Sequence, residues 1–372
     1  MNPRIASIYS IRGLAFIPAN VQNNPQYLGK RGKNITFAAN MQRINWIDWA
    51  KGIAVCTVVF CHLPQSQEWF YYRYLQACII TIFFFLSGYL KKDRDDSHER
   101  WRKYWHSLIV PYFLLNVLLY PYWLLRFYMK TGDLPTLFEA VRPFIGTLLM
   151  QHENSFAEPL NGPLWYLPAI LLMHVIIDLL RKTRYLHTVM IGLCVLSVVL
   201  YGANKYWNIV PSLTPIGILR RLPYYYIGYV MGRQQLFRTV RPWRDLLMMT
   251  CCLLSSLVLF QWHLVENSFP LHIVLFYPVN IGFLFGVLYG CKLLNAVHWR
   301  LMTYLSIGTL VVIGLHNAPV TAVNYLLERY FHLSNTIVYQ WYEAIPVTLL
   351  IIALLYPIIL LSKKYFPVLM GK

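Results

Sequence analysis

The stretch RINWIDWAKGIAVCTVVFCHLP, residues 43–64, reads as a helix apolar enough to enter a bilayer, yet it carries Asp48, Lys51 and His62. Pro64 has no N–H with which to continue the helical ladder and marks its end. Lys51 and His62 are eleven residues apart, which at 100° per residue is about three turns with 20° left over. Their side chains therefore point the same way, roughly 16 Å apart along the axis. Asp48 stands one turn before Lys51 and is placed to pair with it, which lowers the cost of an ammonium at that depth. Ionisable groups inside a membrane are expensive, so a stripe of them is a functional candidate by default. The plainer alternative is a histidine that hydrogen-bonds a neighbouring helix, with Asp48 and Lys51 a satisfied interfacial pair.

The remainder of the chain has the same solvent. Of its 372 residues 57% are hydrophobic and 13% charged, with mean hydropathy +0.44, against about 45–50% apolar and 25% charged in a soluble domain. Twelve Trp and 28 Tyr suit rings held at two membrane interfaces. A span needs about 20 apolar residues. On that criterion ten transmembrane helices are expected, near 46–63, 74–91, 106–128, 164–181, 186–203, 216–232, 244–263, 270–291, 302–326 and 339–362. With the N-terminus inside, some 24 of the 33 Lys and Arg fall in cytoplasmic segments and about eight outside, the asymmetry expected of an N-in, C-in bundle. The first 42 residues are polar, Asn-rich and unpatterned, and read as a cytoplasmic tail or an over-extended start ahead of Met41. Residues 43–372 form the membrane domain. The long loop near 129–163 faces outward on this topology and holds FIGTLLM, a candidate surface or re-entrant helix.

Several function classes are disfavoured. The net charge of +18 is dispersed between apolar segments, not gathered on one soluble element as nucleic-acid binding requires. The seven cysteines, Cys56, Cys61, Cys78, Cys194, Cys251, Cys252 and Cys291, sit in apolar stretches without ligand spacing, so neither disulfides nor zinc are expected. No G-x-S-x-G elbow, Walker loop, dinucleotide fingerprint or HExxH is present, and no tightly bound cofactor or metal is implied. No internal repeat is visible, which weighs against an inverted-repeat transporter.

The Lys51-x10-His62 spacing in DWAKGIAVCTVVFCH, followed one helix later by FFFLSGYL, resembles the first-helix motif of the acyltransferase-3 family of membrane acyltransferases. The D-x-x-K-G-I form is most similar to the branch related to fucose 4-O-acetylase. RWRKYWHSLIVPYF, NGPLWYLPAILL, LPYYYIGYVMGR and SIGTLVVIGLH extend the resemblance over residues 43–362. It implies transfer of an acyl group, acetyl above all, from cytoplasmic acyl-CoA as co-substrate to a hydroxyl of a glycan or lipid-linked glycan in the cell envelope. The implied setting is a bacterial cytoplasmic (inner) membrane. His62 matches the essential histidine and would act as general base. Lys51 matches the basic position and would contact CoA or stabilise developing oxyanion charge, with Asp48 beside it.

Other candidates surround this pair. Arg100, Arg102 and Lys103 at the cytoplasmic mouth would receive CoA phosphates, or serve only as positive-inside residues. Ser87, with Gly88, would line the donor site or allow close helix packing. For the acceptor or cavity the candidates are Trp165 and Tyr166, which equally fit an interfacial belt, Arg220 beside Arg221, Asn280, His316 and Asn317. His174 and Asp178, one turn apart, are expected to form a structural pair. His316 also prompts comparison with the membrane-bound O-acyltransferases, which use a buried His and a separate Asn. The expected architecture is an all-helical bundle whose first, second and ninth helices line a polar cavity around His62. The rival from another class is a transporter or flippase for a polar lipid or sugar, for which buried charges serve equally well. A non-catalytic envelope-assembly subunit, in which His62 would be dispensable, is the third reading.

Overall fold

The computed structural model describes residues 44–150, 159–207, 219–235, 237, 239–265, 271–330 and 337–372, and the expected tail over 1–42 lies outside these. Every regular element among the described residues is helical, as the apolar pattern requires of a chain that must satisfy its backbone inside lipid. In order they are α1 (Asn45–His62), α2 (Phe70–Cys78), α3 (Ile80–Tyr89), α4 (Ser97–Tyr104), α5 (Val110–Leu118), α6 (Tyr120–Thr131), α7 (Leu137–Leu148) and α8 (Tyr166–Leu180). They continue with α9 (Leu186–Trp207), α10 (Leu222–Arg233), α11 (Pro242–Val265), α12 (Leu271–Leu293), α13 (Arg300–Ile307), α14 (Thr309–Leu315), α15 (Asn317–Tyr330) and α16 (Trp341–Tyr365). Among the described residues seven segments are long and apolar enough to cross a membrane, eight counting the bent pair α14 and α15 as one. The chain is an integral membrane protein.

Three of the ten expected spans, the first, sixth and ninth, are not among those seven. α1 buries Trp46, Asp48, Ala50, Gly52, Val55 and Val59, and a helix surrounded by protein has no need of a lipid-facing apolar surface. The sixth span is described only from Leu219 onward. The ninth, expected as one helix over 302–326, is three: Gly308 separates α13 from α14, and α14 meets α15 at 46°. Pro319 accounts for that bend, since it cannot donate to the carbonyl of Leu315 and its ring crowds it. Similarly, the third span runs from Ser97 to Thr131 through a π-helical turn at Trp105–Ile109, just ahead of Pro111. The first five residues of FIGTLLM, Phe144 to Leu148, end the longer helix α7, which a Thr136–Glu139 capping box opens.

Two contacts set the frame. α3 and α10 meet backbone to backbone: a Cβ added at Gly88 would strike the Tyr225 carbonyl, and one at Gly228 or Gly232 the carbonyls of Phe85 or Tyr89. Gly228 and Gly232 form a small-xxx-small pair, which lets transmembrane helices approach this closely. α11 and α12 form an antiparallel hairpin tied at one end by Lys292 and Asp245, 3.0 Å apart and both buried, and in the middle by the Ser256 hydroxyl donating to the Val279 carbonyl at 2.6 Å.

Candidate active site

α1 runs between two distinct ends of the bundle. At its amino end Trp46 meets Tyr89 of α3, with ring centroids 5.4 Å apart. At its carboxyl end His62 meets His316, which lies between α14 and α15, edge to face at 4.5 Å and 81°.

The local hydrogen bonds assign the tautomers. His62 Nδ1 is 2.8 Å from the Val58 carbonyl. A carbonyl only accepts, so Nδ1 carries the hydrogen, and in the neutral ring Nε2 is the atom that takes a proton. His316 repeats the arrangement, with Nδ1 3.0 Å from the carbonyls of Val312 and Ile313. The two rings differ in access: that of His62 is exposed, whereas His316 is fully buried and its Nε2 has no hydrogen-bond partner.

Asn317, the next residue, lines a cleft of about 680 Å³. One wall is a single face of α6. Leu119, which precedes that helix, and Tyr122, Trp123, Arg126, Phe127 and Lys130 follow the i, i+3, i+4, i+7, i+8, i+11 spacing of a helical stripe. The opposite wall is Glu139, Arg142 and Pro143 of α7 with Pro159, Leu160, Gly162 and Pro163. Tyr122 joins the cleft to α15 through a 2.6 Å hydrogen bond to Thr321 Oγ1. Asn161 lies between two cleft residues and donates to the Gly314 carbonyl at 2.6 Å, and its own Oδ1 is buried without a partner. The NGPLWYLP segment is thereby locked to α14, the helix that His316 follows. None of the α6 face was singled out from sequence, because its rings and cations read as the end of a span. The stripe spacing was the available signal.

The other candidates are distributed as follows. Asp48 is buried at 4% exposure and Lys51 half-buried, both toward the Trp46 end of α1. Ser87, half-buried, precedes Tyr89 and therefore lies at that same end. Arg102 and Lys103 on α4 are exposed. Arg100 is engaged internally, donating to the carbonyls of Arg94 and Asp95 and lying 3.5 Å from Asp178. Trp165 packs on Phe84 and Tyr166 on Phe83, and neither lines the cleft. Asn280 is buried on α12, its amide donating to the Phe276 carbonyl. Arg221 is the deeper of the two arginines, 5% exposed against Phe276, while Arg220 is half-buried over Tyr201.

The expected His174–Asp178 pair is corrected. His174 Nδ1 meets the Tyr225 hydroxyl at 2.6 Å. Asp178 instead accepts from Lys91 Nζ and from the Tyr104 hydroxyl, both at 2.6 Å. One turn of helix brings His174 near enough to pair, but a buried ammonium offers a carboxylate a charge-assisted bond that neutral imidazole does not.

The family whose pattern matches this chain is described as an acyltransferase domain, acyltransferase-3, and the match covers residues 44–362. No curated protein and no solved structure matches the chain.

Proposed function

This chain belongs to the acyltransferase-3 family, and on that premise we propose that it is an O-acyltransferase that moves an acyl group, acetyl above all, from acyl-CoA to a hydroxyl of an envelope glycan. The observation that carries the reading is the histidine pair: His62 presents Nε2 as a base beside buried His316, one residue from the cleft-lining Asn317.

The chemistry is a single displacement. The acceptor oxygen bonds to the thioester carbonyl carbon while its proton passes to His62 Nε2. The tetrahedral intermediate then collapses with cleavage of the C–S bond, and the imidazolium returns the proton to the departing sulfur, leaving an ester and the CoA thiol. His316 holds the His62 ring from the side and keeps water from that edge. A separation of about 16 Å along α1 puts Lys51 on the CoA arm instead of at the carbonyl that His62 addresses. CoA would reach it from the end of the bundle where Ser87, Arg102 and Lys103 lie, the cytoplasmic end on the N-in, C-in orientation of a bacterial inner membrane. The sugar would occupy the cleft, its ring faces on Tyr122 and Trp123.

Membranes containing the intact protein, given radiolabelled acetyl-CoA, are expected to label envelope glycans. His62→Ala at equal protein level is expected to abolish the label. Equal labelling by both proteins removes His62 as the base, and absence of labelling by the intact protein with any short acyl-CoA removes the enzyme reading.

A further inference from the structure

Resting on that reading, we propose that the acceptor glycan is anionic, with a carboxylate or phosphate near the acylated hydroxyl, and that Arg126, Lys130 and Arg142 select it. The cleft's described lining contains three cations and one carboxylate, Glu139. That carboxylate is already occupied, accepting from the Thr136 backbone N–H and hydroxyl at 2.8 Å each. Arg126 and Lys130 sit on the same α6 face as Tyr122 and Trp123, and Arg142 lines the cleft from α7, so a sugar ring stacked on the aromatics places its substituents among guanidinium and ammonium groups. Their position on the chain sharpens the point. On the N-in orientation only eight of the 33 Lys and Arg face outward, the side that topology leaves poor in such residues. Three of those eight converge on this one cleft. Snorkelling at an interface would scatter them around the bundle and would not line a concavity of a size that takes small ligands.

Two oligosaccharide probes that differ in charge test the idea: tetragalacturonate and its carboxyl-reduced, neutral counterpart. They are titrated by calorimetry against the full-length protein in phosphatidylcholine nanodiscs. The acidic probe is expected to bind about tenfold tighter, with the preference shrinking as salt rises. The Arg126→Gln/Lys130→Gln/Arg142→Gln variant, whose changes lie on exposed side chains, is expected to bind both probes equally. Equal binding by the intact protein, a preference that survives in the triple variant, or no binding of the acidic probe overturns the proposal. A preference abolished in phosphatidylglycerol nanodiscs but present in phosphatidylcholine would assign the cations to a lipid headgroup and overturn it as well. Labelling with acetyl-CoA separates this from the enzyme reading. His62-dependent acetylation of the neutral probe at equal efficiency leaves the acyltransferase standing and sinks the charge selection. Charge-dependent binding without acetylation of either probe does the reverse.

Discussion

Replacing Asp178 with Asn probes the network that anchors the Lys91 end of the bundle. Lys91 Nζ lies 2.6 Å from Asp178, with side-chain exposures of 2% and 9%, so water screens neither partner. Asn would keep one acceptor, its Oδ1, for Lys91, and its amide NH2 would face the Tyr104 hydroxyl, which can accept as well as donate, so the shape is kept and the charge removed. What remains is an ammonium without its counter-charge, with Arg100 at 3.5 Å and Arg181 at 3.9 Å from the same carboxylate position adding to the repulsion. Breaking a buried pair on one side costs on the order of 3 kcal/mol or more. The loss is expected as a shift in the detergent-unfolding midpoint of purified protein, followed by tryptophan fluorescence. Lys91→Met in the Asp178→Asn background is expected to restore more than half of it, because the stranded charge is then gone. A loss below about 1 kcal/mol, the range of an exposed pair, would refute the reasoning. So would a double variant no more stable than Asp178→Asn alone.

Two further outcomes are expected. Gly228→Ala would drive a Cβ into the Phe85 carbonyl, with the carbonyl carbon at 2.9 Å, and since backbone cannot rotate away the cost is about 3 kcal/mol or more; loss of the monodisperse peak in size-exclusion chromatography reads it, and a normal profile contradicts it. The backbone N–H of Thr136 and then its hydroxyl hold the Glu139 carboxylate below the ordinary value of 4.5. Its contribution is therefore full above that value and is lost as pH falls through the lowered one, so the protection of α7 amides, relative to their intrinsic exchange rate, should fall in acid. Glu139→Gln should flatten that pH dependence, and an unchanged profile would dismiss the capping role.

How much of this was legible depends on whether the interaction was local. α1, its polar stripe and the exceptional status of His62, His316 and Asn317 follow from charge within an apolar run. That His62 and His316 meet does not, since it needs the packing of α1 on α14. Asp178 shows the same limit: its sequence neighbour His174 is one turn away, while its actual partner Lys91 is 87 residues distant. The bend at His316 was written in Pro319, yet membrane helices tolerate proline often enough that the residue alone does not announce a break. The α6 cleft face was hidden for a different reason. Aromatic and basic residues at the end of a span are what an interface would select anyway.

The break between α14 and α15 gives the region an electrical polarity of its own. A helix end carries roughly half an elementary charge, negative where carbonyls terminate and positive where N–H groups begin. At the junction the carbonyl end of α14 lies behind His316 and the amino end of α15 begins at Asn317, on the edge of the cleft. The field so produced comes from peptide groups alone. It has no proton to lose and no side chain to rotate, so pH does not alter it.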